Sequence, residues 1–179
     1  PKILLAGVGE QMTEVAGEAG DGFLVHGFTT ERYLREKSLP ALERGAAKAG
    51  KTRADLTVSY PGFVVTGSND KEIEAANQAV RQQIAFYGST PAYRGVLELH
   101  GWGDLQTELN TRSKRGEWVE MGGLITDEIL ETFAVIGSPE EIPKLVLGRF
   151  GDVVDRFSFY TPYAIDGERL AGIMAGFNA

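Results

Sequence analysis

Residues 1–50 read PKILLAGVGEQMTEVAGEAGDGFLVHGFTTERYLREKSLPALERGAAKAG, and two short apolar runs in this stretch predict the fold. The run from Ile3 to Ala6 ends at Gly7-Val8-Gly9, which is typical of a buried strand that enters a tight turn. Apolar residues at helical spacing follow, so we expect a helix over about 11–19. The next apolar run, Phe23-Leu24-Val25, predicts a second buried strand.

The alternation of strand and helix continues along the chain. Thr29 or Thr30 is a good N-cap for a helix that extends to Gly50, with a kink or restart at Pro40. A third strand, 56–65, contains Pro61-Gly62, where we expect a bulge or the end of the strand. Further helices are predicted at 70–87, 138–150 and 167–174, and a last strand at 156–160. The helix at 138–150 is predicted from the capping box Ser138-Pro139-Glu140-Glu141.

Residues 89–133 are mostly helical in pattern but broken by glycines, which predicts an insertion of several short helices. Outside this insertion, buried strands that alternate with helices predict a parallel sheet with right-handed crossovers. Two α/β architectures fit this pattern: a small doubly wound domain, or half of an eightfold barrel, which needs roughly 250 residues when complete. Periodicity alone does not separate them.

The composition argues against several classes of function. The 179 residues include no cysteine, which excludes disulfides and zinc–thiolate sites, and the two histidines are too few for a His-rich metal site. A net charge of −7 disfavours a nucleic-acid partner. Apolar runs stay far below the roughly 20 residues that cross a bilayer, and no secretory signal is recognisable. We therefore expect a cytoplasmic protein without a metal site or a membrane partner.

Several motifs resemble the bacterial luciferase-like family. They are Pro1, Ala6-Gly7-Val8-Gly9, Ala16-Gly17, Gly20-Asp21-Gly22, the run Leu39 to Ala46, and Ile136-Gly137-Ser138-Pro139-Glu140-Glu141-Ile142. The resemblance covers nearly the whole chain, most weakly from 89 to 131, and favours the branch that uses the deazaflavin coenzyme F420.

The resemblance implies an oxidoreductase that transfers hydride between F420 and a small organic substrate, with FMN as the alternative cofactor. It also implies that residues 1–179 form the C-terminal half of a TIM (β/α)8 barrel, strands 5–8, with the helical insertion at about 89–133 before the last helix and strand. The chain starts at Pro1 directly before a strand, which favours the cut end of a longer polypeptide. Its partner would be its own N-terminal half, because four parallel strands leave two open edges.

Relatives in the family commonly form homodimers, which the resemblance implies here too. The resemblance also implies that most of the ring-binding and catalytic residues precede Pro1, so the isolated chain is expected to be inactive. Two other interpretations stay open: a non-catalytic half barrel that binds flavin, and an unrelated phosphate-binding α/β domain.

The candidate cofactor residues lie in two strand-to-helix turns. Gly7 and Gly9, with their neighbours Ala6 and Val8, place amides and the positive end of a helix where an anion can approach. The resemblance makes this turn a site for the cofactor phosphate, rather than merely a tight turn. It places the second loop, His26-Gly27-Phe28-Thr29-Thr30, beside that phosphate. Simple helix capping is the favoured single role of Thr29 and Thr30. No basic residue lies in this loop, which disfavours a phosphorylated substrate.

His26 is a weak candidate for acid–base catalysis, because imidazole titrates near neutrality. A structural hydrogen-bonding role is favoured for a histidine at a strand end. The aromatic residues of Tyr60-Pro61 and Thr161-Pro162-Tyr163 either line the pocket or pack at the sheet edge. Trp102 and Trp118 of the insertion either cap the pocket, contribute to an interface or belong to the core.

Overall fold

The computed structural model describes residues 1–178 as an α/β fold built on a parallel sheet, as the sequence predicts. Its strands are β1 (Leu4–Ala6), β2 (Gly22–Leu24), β3 (Thr57–Val65), β4 (Ala134–Ile136) and β5 (Arg156–Tyr160). Its helices are α1 (Gly9–Ala19), α2 (Glu31–Tyr33), α3 (Leu39–Lys48), α4 (Asp70–Gly88), α5 (Arg94–Glu98), α6 (Gly103–Ser113), α7 (Trp118–Gly122), α8 (Asp127–Phe133), α9 (Ile142–Phe150) and α10 (Gly167–Ala175). A π-helical turn, Leu34–Ser38, joins α2 to α3, and 3-10 turns lie at Arg53–Asp55, Pro91–Tyr93 and Gly176–Asn178.

Strand β3 lies at the centre of the sheet and pairs along both of its edges. Ser59 pairs with β2 on one edge and with β5 on the other, and Phe63 does the same with β4 and β5. Strands β2 and β4 therefore follow one another along the same edge of β3, and β1 extends the sheet beyond β2. Strand β4 is an addition to the four predicted strands. It has only three residues and directly follows α8. Its apolar residues therefore cannot be distinguished in the sequence from those of the helix.

The predicted interruption of β3 at Pro61-Gly62 is wrong, because the strand is continuous from Thr57 to Val65. The backbone groups of alternate residues in a parallel strand point to the same edge. Ser59 O accepts from Val25 N, so the nitrogen of Pro61 also faces the β2 and β4 edge. Pro61 lies between the segment of β3 that pairs with β2 and the segment that pairs with β4. The sheet forms no hydrogen bond at this position, so none is lost because proline has no N–H group.

Two helix predictions differ from the structure in detail. The helix expected to start at Ser138 begins at Ile142. Half of the predicted capping box is present, because the Glu141 carboxylate accepts from Ser138 N at 2.9 Å. The restart expected at Pro40 takes the form of the π-helical turn, after which α3 begins at Leu39. Proline cannot donate to the preceding turn, which explains a change of helical register at this point.

Helices cover the two faces of the sheet unequally. On one face, Val58, Tyr60 and Val64 of β3 pack with core residues of α1, α3, α9 and α10. On the other face, Phe63 and Val65 at the carboxyl end of β3 pack with α4 to α8. Helix α4 packs on this second face together with α5 to α8. Residues 70–133 therefore form one helical layer.

The second face is uncovered away from this layer. Leu24 of β2 is 41% exposed, and Ala6, Arg156 and Ser158 on the same side of the sheet are also exposed. The outer edges of β1 and β5 pair with no other strand among residues 1–178. The sheet therefore presents an open face and two open edges.

Helices α1 and α3 cross at two glycines. A Cβ atom added to Gly17 would lie 2.1 Å from Leu42 O, and one added to Gly45 would lie 1.9 Å from Glu14 O. Above the crossing, the Glu14 carboxylate pairs with Lys48 at 2.6 Å and Arg44 at 3.3 Å. The glycines let the two backbones touch, which holds α1 and its N-terminus in place.

Replacing Gly45 with alanine is predicted to lower the free energy of unfolding by about 2 kcal/mol, because the added methyl group forces the helices apart. Urea denaturation measures this loss. Gly172→Ala in α10 is the matched control, since its added Cβ meets nothing within 4 Å. That change should raise stability by about 0.5–1 kcal/mol, the difference in helix propensity. Equal effects of the two substitutions would contradict the close crossing.

Candidate active site

The carboxyl ends of β1 and β2 meet at a small pocket. Its lining includes Gly7, Val8, Gly9, His26, Thr29 and Tyr93. The structure thus brings together the two turns that the sequence singles out. The pocket volume is about 20 Å³, which is room for about one water molecule. Such a pocket admits a single small group of a ligand rather than a whole cofactor.

The glycine turn exposes backbone amides at the start of α1. The N-cap residue is Val8, whose side chain offers no acceptor, so the first-turn amides keep their hydrogen-bonding capacity. Gly9 has a φ of 78°, a conformation that favours glycine. A Cβ at Gly7 would lie 2.7 Å from Met12 Cβ. The turn is therefore shaped for close approach of an anion to the backbone.

The nearest acidic side chain of α1 is Glu10, in the first turn of the helix. Its carboxylate lies 3.3 Å from the Arg44 guanidinium and 3.9 Å from the Lys37 ammonium, both on the surface. These cations offset part of its charge.

The two threonines of the second turn have different roles. Thr30 Oγ1 accepts from Tyr33 N at 3.1 Å, so Thr30 is the N-cap of α2, and it also hydrogen-bonds His100 Nε2 at 2.8 Å. Thr29 lines the pocket, while its backbone oxygen accepts from the hydroxyl of Tyr60 at 2.8 Å. The Thr29 hydroxyl is therefore the one available to a ligand.

Ala6 and Gly27, also singled out in the sequence, lie beside the pocket. Ala6 is the last residue of β1 and is exposed. A Cβ at Gly27 would meet the Tyr160 ring at 2.9 Å, so this glycine is needed for the packing of that ring. Together with Thr30, these residues shape the turns without lining the cavity.

His26 is held by both of its ring nitrogens. Phe28 N donates to Nδ1 at 3.1 Å, and Nε2 lies 3.1 Å from the hydroxyl of Tyr93. The ring stacks on Tyr93 with centroids 4.6 Å apart and meets the edge of Tyr87 at 4.9 Å. Because Nδ1 accepts, the neutral ring carries its proton on Nε2. Burial lowers the pKa of His26, so this neutral form predominates at pH 7.

An aromatic wall extends from His26 to the end of β5. It consists of His26, Tyr93, Tyr87 and Tyr160, and the hydroxyls of Tyr87 and Tyr160 lie 2.8 Å apart. Tyr160 also stacks on Phe63 at 4.7 Å, and burial raises the pKa of its hydroxyl. Because Tyr160 is the last residue of a predicted strand, the sequence could have placed it at the site. Tyr87 and Tyr93 carry no such signal, because they come from the helical layer more than 60 residues after His26.

The aromatic residues that the sequence proposed for the pocket are structural. Tyr60 is fully buried on the opposite face of the sheet, and burial raises its pKa. The Tyr163 hydroxyl donates to Val64 O at 2.9 Å and accepts from Thr66 N at 3.1 Å. Tyr163 therefore satisfies the backbone at the end of β3.

The part of the chain that the structure describes, residues 1–178, also bears on metal and membrane binding. Over this range, no group of three His, Asp or Glu side chains comes together to hold a metal ion. Each helix in the same range is too short or too polar to cross a membrane.

The ring of His26 is predicted to titrate below its usual pKa of about 6.5, with the proton of its neutral form on Nε2. Nitrogen-15 NMR of the ring measures both properties. A folded-state pKa below the unfolded one stabilises the fold above about pH 6.5, and this contribution is lost as the pH falls below that value. Replacing His26 with glutamine should therefore reduce the loss of stability between pH 7 and pH 5. A pKa at or above 6.5 would contradict the buried, neutral ring.

Comparison with known proteins identifies relatives of about twice this length. An uncharacterized protein of Mycobacterium tuberculosis is 54% identical over 156 residues, which are 87% of this chain and 46% of that protein. The 5,10-methylenetetrahydromethanopterin reductase of Archaeoglobus fulgidus is 32% identical over 148 residues, with coverage of 78% and 42%. The chain thus spans slightly less than half the length of these relatives.

The fold is similar to that of a solved structure. The coenzyme F420 dependent tetrahydromethanopterin reductase of Methanopyrus kandleri superposes with a TM-score of 0.75 at 20% identity, over 98% of this chain and 49% of the reductase. A family model described as luciferase-like monooxygenase matches residues 1–155. Because this match includes every strand except β5, together with both turns of the pocket, the chain belongs to the luciferase-like monooxygenase family.

Proposed function

We propose that this chain binds the phosphate of coenzyme F420 in an oxidoreductase that transfers hydride to or from an organic substrate. The observation that carries the proposal is the pocket in which the uncapped turn at Gly7 and Gly9 faces Thr29. Relatives named as methylenetetrahydromethanopterin reductases, and the F420-dependent reductase of similar fold, support this choice of cofactor.

The residues present fit a phosphate group. Free amides at the start of α1 donate to phosphate oxygens, and the helix dipole favours the negative charge. The Thr29 hydroxyl adds a donor from the opposite turn. The pocket itself has room for about one phosphate oxygen, so the rest of the phosphate and the cofactor ring would lie outside it.

When bound, F420 supplies the hydride chemistry, and the protein supplies binding and orientation. Neutral His26 adds no charge to the pocket, and its two hydrogen bonds fix the position of its ring. The aromatic wall offers an apolar surface beside the pocket, which excludes water from that side. These residues would therefore position the cofactor. Both ring nitrogens of His26 are already hydrogen-bonded, which favours a structural role over acid–base catalysis.

We further propose that the chain is the C-terminal half of a TIM barrel. In this arrangement β1, β2, β3 and β5 are barrel strands 5–8, and the helical layer lies over their carboxyl ends. The open face at Leu24 and Ser158 would then be the barrel interior, closed by an N-terminal half. This chain covers about half the length of its relatives, which supports this interpretation.

FMN is the second candidate cofactor, because the family includes monooxygenases and the same pocket suits any phosphate monoester or diester. The wall of His26, Tyr93 and Tyr87 is compatible with either ring system. Parallel fluorescence titrations with F420 and FMN distinguish the two, and we expect tighter binding of F420.

Thr29→Val is predicted to weaken F420 binding by about tenfold or more, because a hydrogen bond to a charged oxygen is lost. Fluorescence titration of the cofactor measures the Kd. Thr30→Val is the matched control at the next residue. It removes the N-cap of α2 and should cost about 1 kcal/mol of stability while leaving the Kd unchanged.

The reverse result, with Kd changed by Thr30→Val and not by Thr29→Val, would contradict the assignment of the pocket. If neither F420 nor FMN binds the wild-type chain, either alone or joined to an N-terminal half, the cofactor-binding proposal fails.

A further inference from the structure

A groove lies beside the aromatic wall, between α4, α7 and the loop after β5. We call it the apolar groove, and its lining includes Phe86, Trp118, Val119, Met121 and Pro162, with the amides of Gln82 and Gln83. Its volume is about 350 Å³. That size is within the range of small-molecule sites, roughly 300–1,000 Å³.

The groove exposes large apolar side chains that lie next to one another. Val119 is 73% exposed, Phe86 is 50% exposed and Trp118 is 48% exposed. The rings of Phe86 and Trp118 are tilted against each other, with centroids 5.9 Å apart. Single exposed apolar residues are common on protein surfaces, whereas a contiguous patch marks an interaction site.

Neighbouring aromatic rings lead from the groove toward the candidate active site. The Phe86 ring lies 5.6 Å from that of Tyr87, which in turn lies 4.9 Å from His26 in the pocket. Pro162 follows Tyr160, the last residue of β5, by two positions. Pocket and groove share no lining residue, and the rings of Phe86, Tyr87 and His26 form one aromatic surface between them.

The lining of the groove selects against charged ligands. It contains no charged side chain, so an ionised group would lose water without gaining a partner. Gln82 and Gln83 supply the polar groups, and neither amide hydrogen-bonds another residue within the range 1–178. They can bind a neutral carbonyl or hydroxyl group of a ligand.

We propose that the apolar groove binds the organic substrate, and that this substrate is an uncharged, largely apolar molecule with a planar ring and a neutral hydrogen-bonding group. This inference rests on the proposed function, which supplies the cofactor at the other end of the aromatic surface. The ring of the substrate stacks on Trp118 and Phe86, and its polar group meets the glutamine amides.

The test uses 1-naphthol as the probe and 1-naphthyl phosphate as its charged counterpart. Nitrogen-15 NMR of the two indole N–H groups reports on Trp118 and Trp102 separately, and Trp102→Phe assigns the signals. We expect 1-naphthol to shift the Trp118 signal and not the Trp102 signal, with binding at least tenfold tighter than that of 1-naphthyl phosphate.

Val119→Asp should weaken 1-naphthol binding by about tenfold, because it adds a charge to a site that excludes charge. Val15→Asp is the control, since Val15 is 44% exposed on α1 and lies outside the groove. Unchanged binding in Val119→Asp, or equal binding of the charged probe, would overturn the proposal. Concentration-dependent self-association without a 1-naphthol shift would overturn it too, because the groove would then be an interface between copies.

Titration of the same protein with F420 separates the two proposals. If 1-naphthol fails to bind while F420 binds, the apolar groove is rejected and the proposed function stands. If neither binds, both proposals fail.

Discussion

Pairing of β3 with strands along both of its edges determines where the functional groups lie. The nine residues of β3 hold β2 and β4 on one side and β5 on the other, all in the same direction. In parallel strands the carboxyl ends share one end of the sheet, so the turns after β1, β2 and β5 converge there. The missing N–H of Pro61 faces a gap between paired segments, which is why this long strand tolerates a proline at its centre.

In the proposed site, backbone groups rather than cationic side chains would bind the anion. Val8 leaves the start of α1 uncapped, and Thr30 caps the next helix, which leaves Thr29 available to the ligand. Partial burial lowers the pKa of His26, and the backbone amide that donates to Nδ1 also favours the neutral ring. Such a site depends on the exact position of α1. That position in turn depends on the crossing of α1 and α3 at Gly17 and Gly45.

The helical layer of residues 70–133 turns the end of the sheet into a site. It contributes Tyr87 and Tyr93 to the wall beside the pocket and Phe86 and Trp118 to the apolar groove. One layer thus links a small anion pocket to a larger apolar surface. Under the two proposals, the pocket would bind the charged part of a cofactor and the groove an uncharged substrate.

Local patterns in the sequence predict most of the fold. Strand β5 and helix α10 match the predicted ranges closely, because Thr161-Pro162 ends the strand and Asp166 is the N-cap of the helix. Strand β4 has no such signal and depends on its pairing with β3. The same limit applies to the site: the turns at Gly7 and Thr29 are local motifs, whereas Tyr87 and Tyr93 reach His26 only through tertiary packing.

The most direct test of the anion pocket is to titrate the nitrogen-15-labelled chain with coenzyme F420 and to follow its backbone amides by NMR. This measurement detects weak as well as tight binding and locates the contact on the chain. The account predicts that the largest shifts fall within residues 7–11 and 27–30, the two turns that line the pocket. Large shifts confined to other parts of the chain, or none at saturating cofactor, would contradict it.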